Sequence, residues 1–278
     1  MSVWGRLAGT AVAAAVGAVT ARAVMRKIGD DPPGGAIRWE RTNHRGETVT
    51  LAAGPAAAAG AAAGAALAPG ASRRVCAAGA LSAAAVGAVG LYDDLAGTSS
   101  DKGLKGHLSA LARGEVTSGT AKIAVIGVTG LVGSALVSRN TLDTLIGGAA
   151  IAGHANVMNL LDLRPGRAIK AGLVQAPLVL GGPAGTVGAA GLGAAGALLA
   201  DDLAEKSMLG DAGANALGAV LGLALVAREG RAARLVHLAA VTGLTLASEK
   251  VSFTQVIART PLLRELDEFG RRPPEASD

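Results

Sequence analysis

The chain has 278 residues, of which 41 are glycine, 17% are charged and only 2% are aromatic. A water-soluble domain would carry about 25% charged residues and a larger aromatic complement, so the composition argues against a soluble enzyme, a disordered chain or a coiled coil, and the aperiodic glycines exclude collagen. The net charge of +5 is spread between apolar stretches, which argues against nucleic acid, and one cysteine, Cys76, leaves neither a disulfide framework nor a multi-cysteine metal site.

What remains is a membrane protein in which small residues let helix backbones approach closely. A bilayer-spanning helix needs about 20 mostly apolar residues. In chain order, nine segments qualify: near 3–24, 50–69, 75–92, 122–138, 141–160, 169–182, 184–200, 212–227 and 232–248. The first has Arg6 ahead of an Ala/Val run, as a signal peptide does. The run is long for such a leader and further apolar runs follow, so it is predicted to be the first transmembrane helix. The sixth and seventh are short, rich in glycine and separated by Gly182 and Pro183, which suits two spans or one re-entrant pair.

The predicted fold is all-α: a polytopic membrane protein of about nine transmembrane helices, with one domain over 1–248 and a cytoplasmic tail over 249–278. With the N-terminus outside, 19 Lys and Arg residues fall on the inner side and 7 on the outer. This is the bias expected of the positive-inside rule. The same orientation gathers Asp93, Asp94, Asp101, Asp162, Asp201, Asp202 and Asp211 at cytoplasmic helix ends and loops. Carboxylates at membrane depth are costly and usually functional.

Four constellations could carry chemistry. Asp93 and Asp94 end an Ala/Val helix. Adjacent carboxylates repel unless a cation sits between them, and magnesium, an oxygen-seeking ion, would resolve this; a helix-end pair facing water is the plainer reading. Asn156, Asn159 and Asp162 are spaced i, i+3, i+6, which stacks them along one helix face. They suit a metal or a nucleotide base, or equally polar glue between helices. Asp211 lies between Gly210 and Gly213, where backbone can approach a ligand, or it caps a helix start. The loop from Arg38 to Gly46, with Lys102, Lys105 and Lys122, could bind phosphates or merely carry inside charge. The four histidines, His44, His107, His154 and His237, lack zinc-protease spacing.

The order of these motifs, RTNHRGETV, GLYDDLAG, NVMNLLD and LGDAGANALG, from about Arg38 to Leu217, resembles the polyprenyl-phosphate sugar-1-phosphate transferases. That group includes the phospho-MurNAc-pentapeptide transferase and the UDP-GlcNAc:undecaprenyl-phosphate GlcNAc-1-phosphate transferases. The resemblance implies a cleft on the cytoplasmic face of the cell membrane and magnesium-dependent transfer of a phospho-sugar from a UDP-sugar to a polyprenyl phosphate, in cell-envelope glycan synthesis. By resemblance Asp93 and Asp94 are the catalytic carboxylates, with Asp93 the base or lipid-phosphate-facing group. Asp211 and Asp94 are the Mg2+ ligands. Asn156, Asn159 and Asp162 face the nucleotide, and Lys122 meets a lipid phosphate. The implied partners are polyprenyl phosphate and a UDP-sugar, without nucleic acid, and a homodimer is compatible. The chain departs from the family where Pro165 stands in place of a second Asp, where Met208 replaces an aromatic before the Gly-Asp motif, and where the tail after Glu249 has no histidine. Those departures suit the alternative of a non-catalytic relative that binds lipid phosphate or acts as a scaffold in envelope assembly.

Overall fold

The computed structural model describes residues 3–96 and 117–273, so Asp101, Lys102, Lys105 and His107 lie outside the described residues. Helix α1 (Val3–Asp30) is followed by a 3-10 turn (Ala36–Arg38) and a short antiparallel hairpin of β1 (Glu40–Thr42) and β2 (Thr48–Thr50). Then come α2 (Ala53–Ala66), α3 (Arg73–Ala96), α4 (Ser118–Val137), α5 (Thr141–Leu161), α6 (Arg167–Val174), α7 (Ala176–Val179), α8 (Gly185–Gly196) and α9 (Leu199–Leu203). The chain ends in α10 (Gly210–Val226), α11 (Arg231–Ser248), α12 (Phe253–Arg259) and α13 (Pro261–Glu268). The expected all-helical class is observed, with the hairpin as its sheet element among the described residues.

The span count differs from expectation. All nine apolar segments contain helix, but four helices, α1, α3, α4 and α5, are long and apolar enough to cross a membrane among the described residues. Glycine and proline explain the shortfall. The 14 residues of α2 and the 12 of α8 reach only about 21 and 18 Å at 1.5 Å per residue, short of a hydrocarbon core of about 30 Å. The sixth segment breaks into α6 and α7, with Pro177 opening the second piece.

Helix α10 is the axis. Of its 17 residues all but Asp211 and Leu225 are buried, and a helix that is apolar all round belongs inside a bundle. It packs against α2, α3, α5 and α8; α1 lies on α2 and α8, α4 bridges α3 and α5, and α11 covers the outer side of α5. The outward faces of α1, α4 and α11 present Trp4, Leu7, Val128, Leu131, Leu235 and Val236.

The seams between helices are made of backbone. A Cβ on Gly54 would sit 2.3 Å from the Leu209 carbonyl oxygen, and one on Gly90 would sit 2.5 Å from the Asp211 carbonyl oxygen. Thus α2 and α3 clasp the start of α10 from two sides. On the far side, a Cβ on Gly17 would meet the Ala190 carbonyl oxygen at 2.4 Å and one on Gly193 the Ala14 carbonyl oxygen at 2.2 Å. No side chain fits in these gaps, and such close approach is how helices associate where water is absent.

Replacing Gly90 by Val is expected to force α3 from α10 and to destabilise the protein by about 1–3 kcal/mol, the usual range for overpacking. Melting in detergent measures it; an unchanged midpoint would contradict the backbone seam.

Candidate functional site

The helix ends gathered at one end of the bundle carry most of the carboxylates named above. The C-terminal ends of α1, α3 and α5 meet the N-terminal ends of α4, α6 and α10 and the short α9. Three contacts show the convergence: Arg22 pairs with Asp201, Lys122 with Asp93 and Asp211, and Asp94 with the first turn of α10.

Asp94 has a role that its position in the chain does not disclose. Its Oδ1 accepts from the Asp211 N–H and its Oδ2 from the Ala212 N–H, each at 3.0 Å. The first N–H groups of a helix have no partner within it, and the residue preceding α10, Leu209, has no capping side chain. Asp94 therefore caps α10 from another helix, with its charge at the positive end of the dipole. Gly210 makes the approach possible: its φ is +57°, and a Cβ there would lie 2.9 and 3.0 Å from the two Asp94 oxygens. The Arg41 guanidinium, on β1, donates to the Asp94 carbonyl oxygen.

Asp93 and Asp211 face a common cation. The Lys122 ammonium, one turn into α4, lies 2.5 Å from Asp93 Oδ2 and also bonds Asp211 Oδ2. All three side chains are less than a quarter exposed. Asn215 fixes this turn of α10 by donating to the Asp211 carbonyl oxygen at 2.7 Å.

Asp162 joins the cluster from α5. It lies just past the end of that helix, and its Oδ2 is buried without a hydrogen-bond partner among the described residues. Burial raises its pKa well above the usual carboxylate range, and Asp202, Asp94 and Asp211 push it the same way. Asp202 is itself buried, accepts from the Gly166 N–H at 3.2 Å and is pushed up to about 7, chiefly by burial.

Asn156 does not join Asp162 at the cluster. Asn156 donates to Thr245 on α11 at 3.0 Å. Asn159 is half-buried, and its carbonyl oxygen accepts from the Asp162 N–H. The reason is helical geometry: six residues turn about 600°, which leaves positions 156 and 162 about 120° apart. The structure thus brings together Asp93, Asp94, Lys122, Asp162 and Asp211, and leaves Asn156 on another seam.

The donor set can be weighed for a divalent cation. Among the described residues no group of three or more His, Cys, Asp or Glu side chains is arranged around one metal position. Magnesium, however, is commonly held by one or two carboxylates plus substrate phosphates. Asp93 and Asp211, already sharing one cation, and the orphaned Asp162 oxygen offer chemistry of that kind, whereas both oxygens of Asp94 already serve backbone N–H groups.

The hairpin closes the cluster from below. Glu205, in a left-handed conformation with φ of 58°, accepts from Asn43 at 2.7 Å and Arg45 at 2.9 Å. Arg45 also donates to the Arg272 and Pro273 carbonyl oxygens, and Asp267 of α13 receives a two-pronged bond from Arg167 at 2.7 and 3.0 Å. The tail is therefore strapped to the bundle end. Sequence reasoning left Arg22, Asp202 and Asp267 without a role; each has a partner more than 30 positions away, which no local spacing reveals. A scan against protein-family models and a search of curated proteins give no match for the chain.

Two outcomes follow. Asp94→Asn turns an NH2 toward a helix N–H and is expected to destabilise by about 1–3 kcal/mol, the penalty of an unsatisfied buried group, while Asp93→Asn leaves the cap intact and lowers the melting midpoint less. Equal midpoints would count against the cap. Asp202 is held protonated in the fold at pH values where the unfolded chain ionises it, so its contribution is full below about pH 4 and falls as pH rises to 7. Asp202→Asn, which still accepts from Gly166, is expected to flatten that decline and to stabilise by roughly 1–3 kcal/mol at pH 8; a variant with the wild-type pH profile would exclude it.

Proposed function

We propose that this chain is a magnesium-dependent sugar-1-phosphate transferase of the cell membrane, moving a phospho-sugar from a UDP-sugar to a polyprenyl phosphate. The observation that carries the reading is the meeting of Asp93, Lys122 and Asp211 from three helices, with Asp94 and Asp162 beside them. Phosphoryl transfer depends on positioning and charge neutralisation more than on covalent chemistry by the protein. One cation among four carboxylates, with Arg41 bonded to the Asp94 carbonyl oxygen, supplies both elements.

In this reading the N-terminus is outside, the cluster faces the cytoplasm, and the shorter helices complete a bundle of about nine passes. Lys122 binds and orients the lipid phosphate. Asp93, 2.5 Å from Lys122, holds the proton-accepting position beside that phosphate. Asp211 and Asp93 hold the magnesium, which when bound neutralises charge on the donor's phosphates. Asp162 and Asn159 face the nucleotide side, and Asp94 keeps the α10 turn in register.

A second reading has its own support. Lys122 already bonds both Asp93 and Asp211, and a closed ion triad is what a lipid-phosphate-binding relative without turnover would keep. The two readings part in one assay. Purified protein in detergent receives magnesium, undecaprenyl phosphate and a panel of UDP-sugars, and UMP release is followed. The transferase reading expects UMP, and expects Asp211→Asn to lose about 10²–10³ in rate, the usual loss when stabilisation of transition-state charge is removed. No UMP from any donor, with magnesium-dependent binding of undecaprenyl phosphate, selects the binding protein.

A further inference from the structure

Helices α12 and α13 lie in the segment expected to be a cytoplasmic tail, yet α13 turns an apolar face away from the protein. Leu262 is 67% exposed and Leu266 48%, and Phe269, just past the helix, is 76% exposed. At about 100° per residue, Leu262, Leu263 and Leu266 share one arc of about 100°, and Arg264, Glu265 and Glu268 share another centred nearly opposite. Asp267 stands between the arcs, about a quarter turn from each.

Asp267 is also the buried residue of α13. Arg167 grips its carboxylate at 2.7 and 3.0 Å, and Arg271 lies 3.0 Å from it. Lys170 donates to the Asp267 and Phe269 carbonyl oxygens. These bonds fix the helix in rotation as well as in position. With the Asp267 edge held against the bundle, neither arc turns inward: the leucines lie on one side and the charges on the other.

The depth of α13 follows from its neighbours. Beside the leucines is a cavity of about 720 Å³, whose lining includes Val157 and Leu161 of α5, Leu244 of α11, Val256 of α12, and Leu263 and Phe269. Leu161 is the last residue of α5, a helix long and apolar enough to cross a membrane. The 21 residues of α5 cover about 31 Å at 1.5 Å per residue, which matches a hydrocarbon core of about 30 Å. Leu161 therefore marks the hydrocarbon boundary, and α13 lies at that level. Leu244, Val256 and Leu263 are exposed, so the lipid-facing surface of α5 and α11 continues onto α13. Contiguous exposed apolar surface of this kind marks a membrane or protein contact. The polar arc carries one cation, Arg264, and two anions, Glu265 and Glu268, so its charge gives no preference for anionic headgroups.

We propose that α13, tethered by α12, is an interfacial helix whose apolar face is covered by bilayer lipid. Leu262, Leu263 and Leu266 enter the bilayer at the hydrocarbon boundary, while Arg264, Glu265 and Glu268 stay in water. Helices with one apolar and one charged side lie in this plane, the apolar side about 5–10 Å into the boundary between headgroups and acyl chains. A second copy of the chain would have to cover the leucines and the open cavity while leaving the adjoining face of α11 to lipid. The placement is independent of the chemistry at the carboxylate cluster.

The test is spin-label accessibility of the full chain in lipid nanodiscs. Cys76→Ser removes the single native cysteine, and a nitroxide is attached in turn to Leu262→Cys, Leu266→Cys, Glu265→Cys and Glu268→Cys. None of these side chains takes part in the Asp267 contacts, so the fold is expected to be kept. Collisions with oxygen, which dissolves in hydrocarbon, are expected to dominate at 262 and 266. Collisions with a nickel chelate confined to water are expected to dominate at 265 and 268. The same alternation is expected in zwitterionic nanodiscs and in nanodiscs containing anionic lipid. Nickel access at all four sites would place α13 in water and overturn the proposal. Low access of both reagents at 262 and 266 would mean a protein cover, and oxygen access at all four a submerged helix; each overturns it. An alternation seen only with anionic lipid would overturn attachment through the apolar face.

Discussion

Everything at the candidate site depends on how closely α3 approaches the first turn of α10. Two glycines on different helices, Gly90 and Gly210, permit it, and Asp94 makes use of it by accepting two backbone N–H groups at 3.0 Å. The contact has a geometric consequence. With Asp94 locked to α10, Asp93, one position earlier on α3, meets Asp211 across one cation. The paired aspartates therefore divide the work: one holds the backbone and the other faces the charge. The cap and the triad reinforce one another, since both hold the first turn of α10 against its neighbours.

Much of this was legible along the chain and some was not. The helical class followed from apolar runs rich in alanine and glycine, and the meeting of Asp93, Asp94, Asp162 and Asp211 followed from placing their helix ends on one face. Length was harder to read. A run such as 184–200 is apolar enough to span, yet the helix stops at Gly196 because neighbouring glycines carry little helical preference of their own. The Asn156–Asn159–Asp162 spacing looked like one face, but Asp162 turns off the helix at its C-terminal end and Asn156 bonds α11. Asp94 as a cap for a helix 117 positions away could not be read from sequence, since the signal for a cap is sought one to three residues before the helix it serves.

The two ends of the bundle differ in character. At the cluster end, carboxylates outnumber the cations that touch them, and burial keeps Asp202 near neutral pH in its titration. At the opposite end, Arg228, Arg231 and Arg234 stitch α11 to the turns of α4, α5 and α7, mostly by donating to backbone oxygens. The first arrangement leaves acceptor capacity unspent, as at the Asp162 Oδ2. The second satisfies loose carbonyls and is architecture.

Helix α10 has one more consequence, for the order in which the molecule is made. It has four glycines, at 210, 213, 218 and 222, in 17 residues, and each weakens an isolated helix by about 1 kcal/mol relative to alanine. At about 26 Å it is also shorter than the hydrocarbon layer, and its leading N–H groups are satisfied by a residue of α3. Such a segment gains little from entering the bilayer alone. Its stability is borrowed from α2, α3, α5 and α8, so during biogenesis the translated chain must retain it beside its predecessors until they have formed a socket. The most buried helix is then a late arrival, and the carboxylate cluster comes into being only at that step.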